Sequence, residues 1–219
     1  MNSRGAAGNP SERFRAQFRT YVQLLESWAG LVSGPAQPLV EDCLVLLDHL
    51  ADARALIDVG SGGGMPGIPL KIARPDLSVT LLEADHRKAA FLTHAAARLG
   101  IDVDIVVERA ETAGRGRLRE AFDVATCRAL ATMPVLAELC LPLVRVGGRL
   151  LALKGEVEEA TQAIAAVGGG EPTVIHTPSS ARDRGVLVVV PKLTPTPVIF
   201  PRRPGVPARR PIGSGLKGA

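Results

Sequence analysis

The sequence predicts an α/β fold: a mainly parallel sheet with helices on both faces. Two observations carry that prediction. In LIDVGSGGGMPGIPLK, residues 56–71, an apolar run ends in Gly60, Gly62, Gly63, Gly64 and Gly67 and passes into a helical pattern. A strand entering a glycine-rich turn and then a helix is how nucleotide-binding α/β domains begin. Downstream, strand-like and helix-like stretches alternate, as parallel strands with helical crossovers require. At 219 residues and 46% hydrophobic content, the chain suits one such domain with an added helical segment. Aromatics make up only 3%, so the core must be built from Leu, Val, Ile and Ala.

The elements follow in order. Asn9-Pro10-Ser11-Glu12 reads as a helix start, with a cap, proline at the first helical position and an acid three residues after the cap. Phe14, Phe18, Tyr21, Val22, Leu25 and Trp28 then keep helical spacing as far as Gly30, a stripe that reads as core packing. After a Ser33-Gly34-Pro35 loop, Pro38 opens a second helix with Leu39, Cys43, Leu46, Leu47 and Leu50 on one face. Strands are predicted at residues 56–59, 78–83, 102–107, 122–127, 149–153, 173–176 and 186–190. Helices are predicted at 85–99, closed by Gly100, then from Pro134 towards Leu143 with Thr132 as cap, and at 156–167. The domain expectation is a helical segment over residues 1–54 packed on the core, an α/β domain over 55–192, and a basic, proline-rich tail over 193–219. The tail prolines predict an extended chain there, not a helix.

Composition excludes several classes. The three cysteines are odd in number and form no CxxC pair, which argues against a disulfide framework or a metal site and for a reducing compartment. No apolar run approaches membrane-spanning length, and the first residues lack the apolar core of a signal peptide, so cytoplasm is the expected location. The net charge of +4 is uneven. Of 26 basic residues, six (Lys192, Arg202, Arg203, Arg209, Arg210 and Lys217) fall after residue 191, with no acid among them. The other 20 stand against 22 acids, a net of −2. A basic strip confined to one segment is the footprint of a nucleic-acid binder.

Ligands in open α/β sheets sit beyond the carboxyl ends of the strands. Strand one ends in Asp58 and Gly60. Strand two ends in Glu83, placed to accept from ribose hydroxyls, with Asp85 beside it as the cap of the next helix. Beyond strand three, Ala110 and Glu111 are candidates for an adenine pocket. Strand four ends in Arg128, able to meet a carboxylate or a phosphate. Gly62, Gly64 and Gly67 satisfy a dinucleotide fingerprint. Pro66 and Pro69, however, remove two amides that a pyrophosphate would use, and Asp58 puts an acid beside the turn. A cationic ligand without phosphate, such as S-adenosylmethionine, fits better.

The blocks LIDVGSGGGMPGIPLKIARPDLSVTLLEADHRKAAFL, ERAE, FDVATCRALA, LPLVRVGGRLLALKG and FPRRPGVPARRPI, in this order over most of residues 55–212, resemble the bacterial small-subunit ribosomal RNA guanine-N7 methyltransferase family, also called glucose-inhibited division protein B. The resemblance implies a class I, Rossmann-like methyltransferase fold of seven strands that uses S-adenosylmethionine. It implies cofactor contacts at Gly60, Met65, Ala110, Glu111 and Arg128, to which the strand-end reading adds Asp58, Gly62, Gly64 and Glu83. It also implies 16S ribosomal RNA or the small ribosomal subunit as partner; Lys154 and, from the basic strip, Lys192, Arg202, Arg203, Arg209 and Arg210 are the expected RNA contacts. Phe200 and Arg guanidinium planes are the expected stacking partners. No catalytic residue, metal or membrane contact is expected. The N-terminal segment departs from the family: after Trp28 the chain reads AGLVSGPAQPLVEDCLVLLDHL, without the family's Asn-Leu-Thr and Arg-His elements. Two alternatives stand beside an RNA methyltransferase. One is a methyltransferase for a small molecule or protein. The other is an RNA-binding relative that keeps the fold, with altered specificity or without turnover.

Overall fold

The computed structural model describes residues 10–128 and 130–213. Seven strands form one sheet in the order β3-β2-β1-β4-β5-β7-β6. They are β1 (Ala55–Val59), β2 (Ser78–Glu83), β3 (Asp104–Val107), β4 (Phe122–Arg128), β5 (Val144–Lys154), β6 (Thr173–His176) and β7 (Val186–Pro191). β1 to β5 run parallel, and β7 pairs antiparallel with both β5 and β6. The strand order reverses between β1 and β4, so a crevice opens above their carboxyl ends.

The helices are α1 (Pro10–Ser27), α2 (Ala36–Asp42), α3 (Gly67–Ala73), α4 (His86–Leu99), α5 (Ala110–Ala113), α6 (Met133–Cys140), α7 (Thr161–Ala166) and α8 (Val206–Arg209). Side chains alternate across the sheet with period two. Leu56 joins the apolar layer of Tyr21, Leu25, Val40, Ile68 and Phe91, whereas Ile57 and Val59 join the layer of Leu136, Leu139, Ile164 and Val188. The same alternation sends Asp58 into the layer under α1 and α3, where it is fully buried. Among the described residues, no helix is long and apolar enough to cross a membrane. Cys43, Cys127 and Cys140 are buried free thiols.

Several elements differ from expectation for local reasons. Asn9, the expected cap of α1, and Lys217 lie outside the described residues. The second helix begins at Ala36 and gives way to a 3-10 segment over Cys43–His49. Pro38 falls in its first turn, where a missing N–H costs nothing. The sixth helix stops at Cys140 and tightens into a 3-10 turn containing Pro142. The seventh starts only at Thr161, because the Glu159 carboxylate takes the Thr161 amide at 2.7 Å and the Lys154 ammonium holds Glu158 at 2.8 Å. The third strand is shorter than predicted and the fifth longer, running through Gly147 with a register irregularity against β4. The tail is mostly extended yet contains α8, with Pro207 tolerated in its first turn. Asp85 caps α4 as expected, accepting from the amides of Arg87 and Lys88, and Gly100 closes it in the left-handed conformation.

Candidate functional site

The glycine loop between β1 and α3 is held by its own amides. Gly60 and Ser61 donate to Leu82 O, Gly64 and Met65 to Ser61 O, and Ile68 to Gly64 O. Gly62 donates to Glu83 Oε2 at 2.8 Å and Gly67 to Asp58 Oδ2 at 3.0 Å. Pro66 has no amide to give. A pyrophosphate needs free N–H groups at such a helix start, and apart from Gly63 the amides of this loop are spent internally. Gly60 and Gly67 are among the glycines that geometry demands. Gly60 has φ +68°, and a Cβ there would lie 2.6 Å from Leu130 Cδ1; at Gly67 a Cβ would lie 2.4 Å from Leu81 Cδ2 and 2.9 Å from Asp58 Oδ2.

A cavity of about 160 Å³ opens beside the loop, lined among others by Gly60, Glu83, Lys88, Ala110, Glu111 and Leu130. Glu83 is held by two amides, Gly62 and Asp85, the latter at 2.9 Å on Oε1. Each of its oxygens keeps a lone pair for a further donor. A second cavity of about 560 Å³ lies above the ends of β4 and β5, walled by Arg128, Lys154, Glu156, Glu158 and Arg182. Arg182 is locked there: its guanidinium takes both carboxylate oxygens of buried Asp42, at 2.7 and 2.9 Å, and the Lys154 carbonyl at 2.6 Å. Arg128 is looser. Its Nη1 lies 3.7 Å from Met65 Sδ, and its Nε, 3.7 Å from Asp42, has no hydrogen-bond partner. Lys154 donates to Ala131 O and Glu158, each at 2.8 Å.

The predicted cofactor residues therefore divide. Gly60, Glu83, Ala110 and Glu111 come together around the first cavity, and Arg128 faces the second with Met65 against it. Gly62 and Gly64 serve the loop's own bonds. Asp58 stands beneath the loop and not in the cavity: it is fully buried and braces α3 through the Gly67 amide. Burial, aided by the nearby Glu83 charge, pushes its carboxyl up to about 7 against the opposing pull of the Gly67 and Ser61 hydrogen bonds. Its Oδ1 has no partner. One residue of the α1 stripe has a second role that helical periodicity alone does not show. The Tyr21 hydroxyl donates to Gly63 O at 2.5 Å, so α1 braces the loop.

The chain is similar to "Ribosomal RNA small subunit methyltransferase G" of Staphylococcus epidermidis, 38% identical over 218 residues and 90% of each chain. The protein of the same name from Staphylococcus aureus is 38% identical over 222 residues and 92% of each chain. The family model GidB, described as rRNA small subunit methyltransferase G, matches residues 15–167. The chain belongs to this family. The match begins at residue 15 and so takes in the N-terminal segment as well as the glycine loop. Among solved structures, geranyl diphosphate C-methyltransferase from Streptomyces coelicolor aligns with TM-score 0.57 and 16% identity over 86% of this chain and 100% of that one. An O-methyltransferase from Bacillus cereus aligns with TM-score 0.55 and 16% identity over 83% and 91%. These likenesses show the fold, which is the class I methyltransferase fold. The chain is a methyltransferase, and its cofactor is S-adenosylmethionine. The oriented Glu83 carboxylate and the pocket beside Gly60 fit that cofactor.

The predicted RNA contacts also divide. Lys154 lines the second cavity, and Arg203, Arg209 and Arg210 are exposed. Lys192 is a correction: it is 1% exposed, and its ammonium donates to Leu141 O and Val167 O at 2.9 Å and to Thr196 Oγ1. Burial lowers its pKa to about 8 although Glu120 lies near. Arg202 is a second correction, because it is engaged with the fully buried Glu138. Phe200 is a third, since it packs on the core layer of α6 instead of standing free to stack on a base.

Proposed function

We propose that this chain transfers the methyl group of S-adenosylmethionine to N7 of a guanine in 16S ribosomal RNA. The observation that carries the reading is the juxtaposition of two cavities at the strand ends. One is built on a glycine loop whose amides, apart from that of Gly63, are spent on the loop itself, and the other is walled by Arg128, Lys154, Glu156, Glu158 and Arg182. Family membership supplies the substrate class. Glu83 would hold the ribose, its carboxylate already oriented by the Gly62 and Asp85 amides, and Gly60 and the Ala110–Glu111 wall would enclose the cofactor. When bound, S-adenosylmethionine supplies an electrophilic methyl group on a sulfonium.

Guanine N7 carries an in-plane lone pair and no proton at neutral pH, so the protein needs no general base. Its work is to hold that nitrogen in line, and such positioning contributes about 7 kcal/mol or more in ideal cases. The base must leave its stack or come from an irregular RNA loop. Arg128, whose Nε has no hydrogen-bond partner, is the cation of the larger cavity best placed for a phosphate that accompanies it, and a cytoplasmic location goes with such a substrate. Incubation with labelled S-adenosylmethionine and small ribosomal subunits or their RNA, followed by mapping of the modified nucleotide, tests the reading. Label on a guanine with the chemistry of N7 methylation supports it. Label confined to protein or small molecules, or none with S-adenosylmethionine bound, overturns it.

A further inference from the structure

The C-terminal segment is a strap. It climbs the α5–α6 side of the molecule from the far end of the sheet to the cofactor cavity. At its start the Thr196 amide donates to Glu120 at 2.6 Å. Arg119 reaches the carbonyls of Thr196 and Phe200 at 2.5 and 2.8 Å, and Arg115 reaches those of Ile199, at 3.1 Å, and Pro201. Next comes Arg202. Its backbone amide meets Glu138 Oε1 at 2.7 Å, and its guanidinium takes both oxygens of that buried carboxylate, at 2.8 and 2.5 Å. Three residues later the Gly205 amide donates to Glu111 Oε1 at 2.8 Å.

Glu111 sits in the cavity wall beside Ala110 and is 1% exposed. Its oxygens are engaged by Gly205 and by Arg109, at 3.2 and 3.3 Å. Its carboxylate is thus committed to the strap and to Arg109. Arg203, Arg209 and Arg210, within five residues of Gly205, face solvent. We propose that Glu111 is a positioning residue through which the strap couples RNA engagement to cofactor affinity. The proposal rests on the methyltransferase reading above. Phosphates held by the outer arginines favour the seated strap, the seated strap holds the Ala110–Glu111 wall, and the completed wall favours the cofactor. Each ligand then prefers the same state, which is what coupling requires, and the effect must be reciprocal.

The test is calorimetry with S-adenosylhomocysteine, with and without saturating protein-free 16S ribosomal RNA, on the full chain. In the parent, RNA should tighten the nucleoside at least fivefold, the lower end of usual coupling, and the nucleoside should tighten RNA by the same factor. Arg202→Ala should bring that factor to one. Glu111→Ala should do the same, whereas Glu111→Gln, which keeps an acceptor for the Gly205 amide, should retain most of it. If Arg202→Ala fails to fold with Glu138 left unpaired, the two Glu111 variants decide. A parent factor of one, or equal factors in the parent, Glu111→Gln and Glu111→Ala, overturns the coupling alone. Absence of nucleoside or RNA binding by the parent overturns the methyltransferase reading and the coupling with it.

Discussion

Asp58 lies fully buried beneath the glycine loop, its carboxyl raised to about 7 chiefly by burial. An unfolded aspartate titrates near 3.9. Between about pH 4 and 7 the folded chain therefore keeps a proton that the unfolded chain has lost, and stability falls as pH rises through that window. Below about pH 4 both states are protonated and the penalty is absent; above about 7 it is fully present. Asn can accept the Gly67 amide without a charge. Asp58→Asn should accordingly melt higher than the parent at pH 8, with the gain shrinking towards pH 5. Scanning calorimetry of both proteins across that range checks this, and a difference independent of pH would show that Asp58 is ionised throughout. The same carboxyl answers a question that the sequence left open. It is not a free anion beside the ligand but a brace whose charge is suppressed by its surroundings.

At the level of elements, α1 and the residue after β7 each carry a buried polar side chain that ties distant segments together. The Tyr21 hydroxyl ties α1 to Gly63 O with both groups buried. Tyr21→Phe leaves that carbonyl unsatisfied, a cost of about 1–3 kcal/mol. It should lower the melting temperature and, by loosening the loop, weaken S-adenosylhomocysteine binding several-fold. Unaltered affinity in a destabilised variant would make the contact a packing device only. Lys192, at the end of β7, ties the ends of α6 and α7 through Leu141 O and Val167 O. Lys192→Met removes the charged donor, although Val167 O keeps the Thr196 hydroxyl and Leu141 O keeps the Val144 amide, so it should destabilise by about 1–3 kcal/mol. RNA affinity and its salt dependence should not move, which parallel melting and filter-binding measurements would show.

Across the whole molecule, the basic excess is real but only partly free. Arg203, Arg209 and Arg210 are exposed, whereas Arg202 and Lys192 are consumed by the fold. Replacing those three exposed arginines with Gln should weaken RNA binding and flatten its salt dependence by up to about 2 in log–log slope, at roughly 0.7 per phosphate for single strands. The melting temperature should stay close to the parent's. A variant with lost stability and an unchanged slope would return these residues to the fold. The strand–turn–helix start and the βα alternation were legible because they follow from local periodicities of two and 3.6. Glu83 was legible because strand ends define the crevice. The strap was not, since its anchors Glu138, Glu120 and Glu111 lie 64, 76 and 94 residues from the groups they hold, and a count of charges says nothing of pairing. The burial of Asp58 was equally hidden. Alternation assigns it to the same face as Leu56, but which helices cover that face is a tertiary fact.

The antiparallel course of β7 leaves the chain at the end of the sheet opposite the cofactor cavity, and an extended run from Lys192 to Gly205, at about 3.3–3.6 Å per residue, is long enough to return. That route sets a timetable during synthesis. A ribosome adds Glu111 and then 94 further residues before Gly205 can reach it, an interval of about 5–20 s at ordinary elongation rates. For that time Glu111 lacks its Gly205 partner. Released chains truncated before residue 205 should bind S-adenosylhomocysteine more weakly than the full chain.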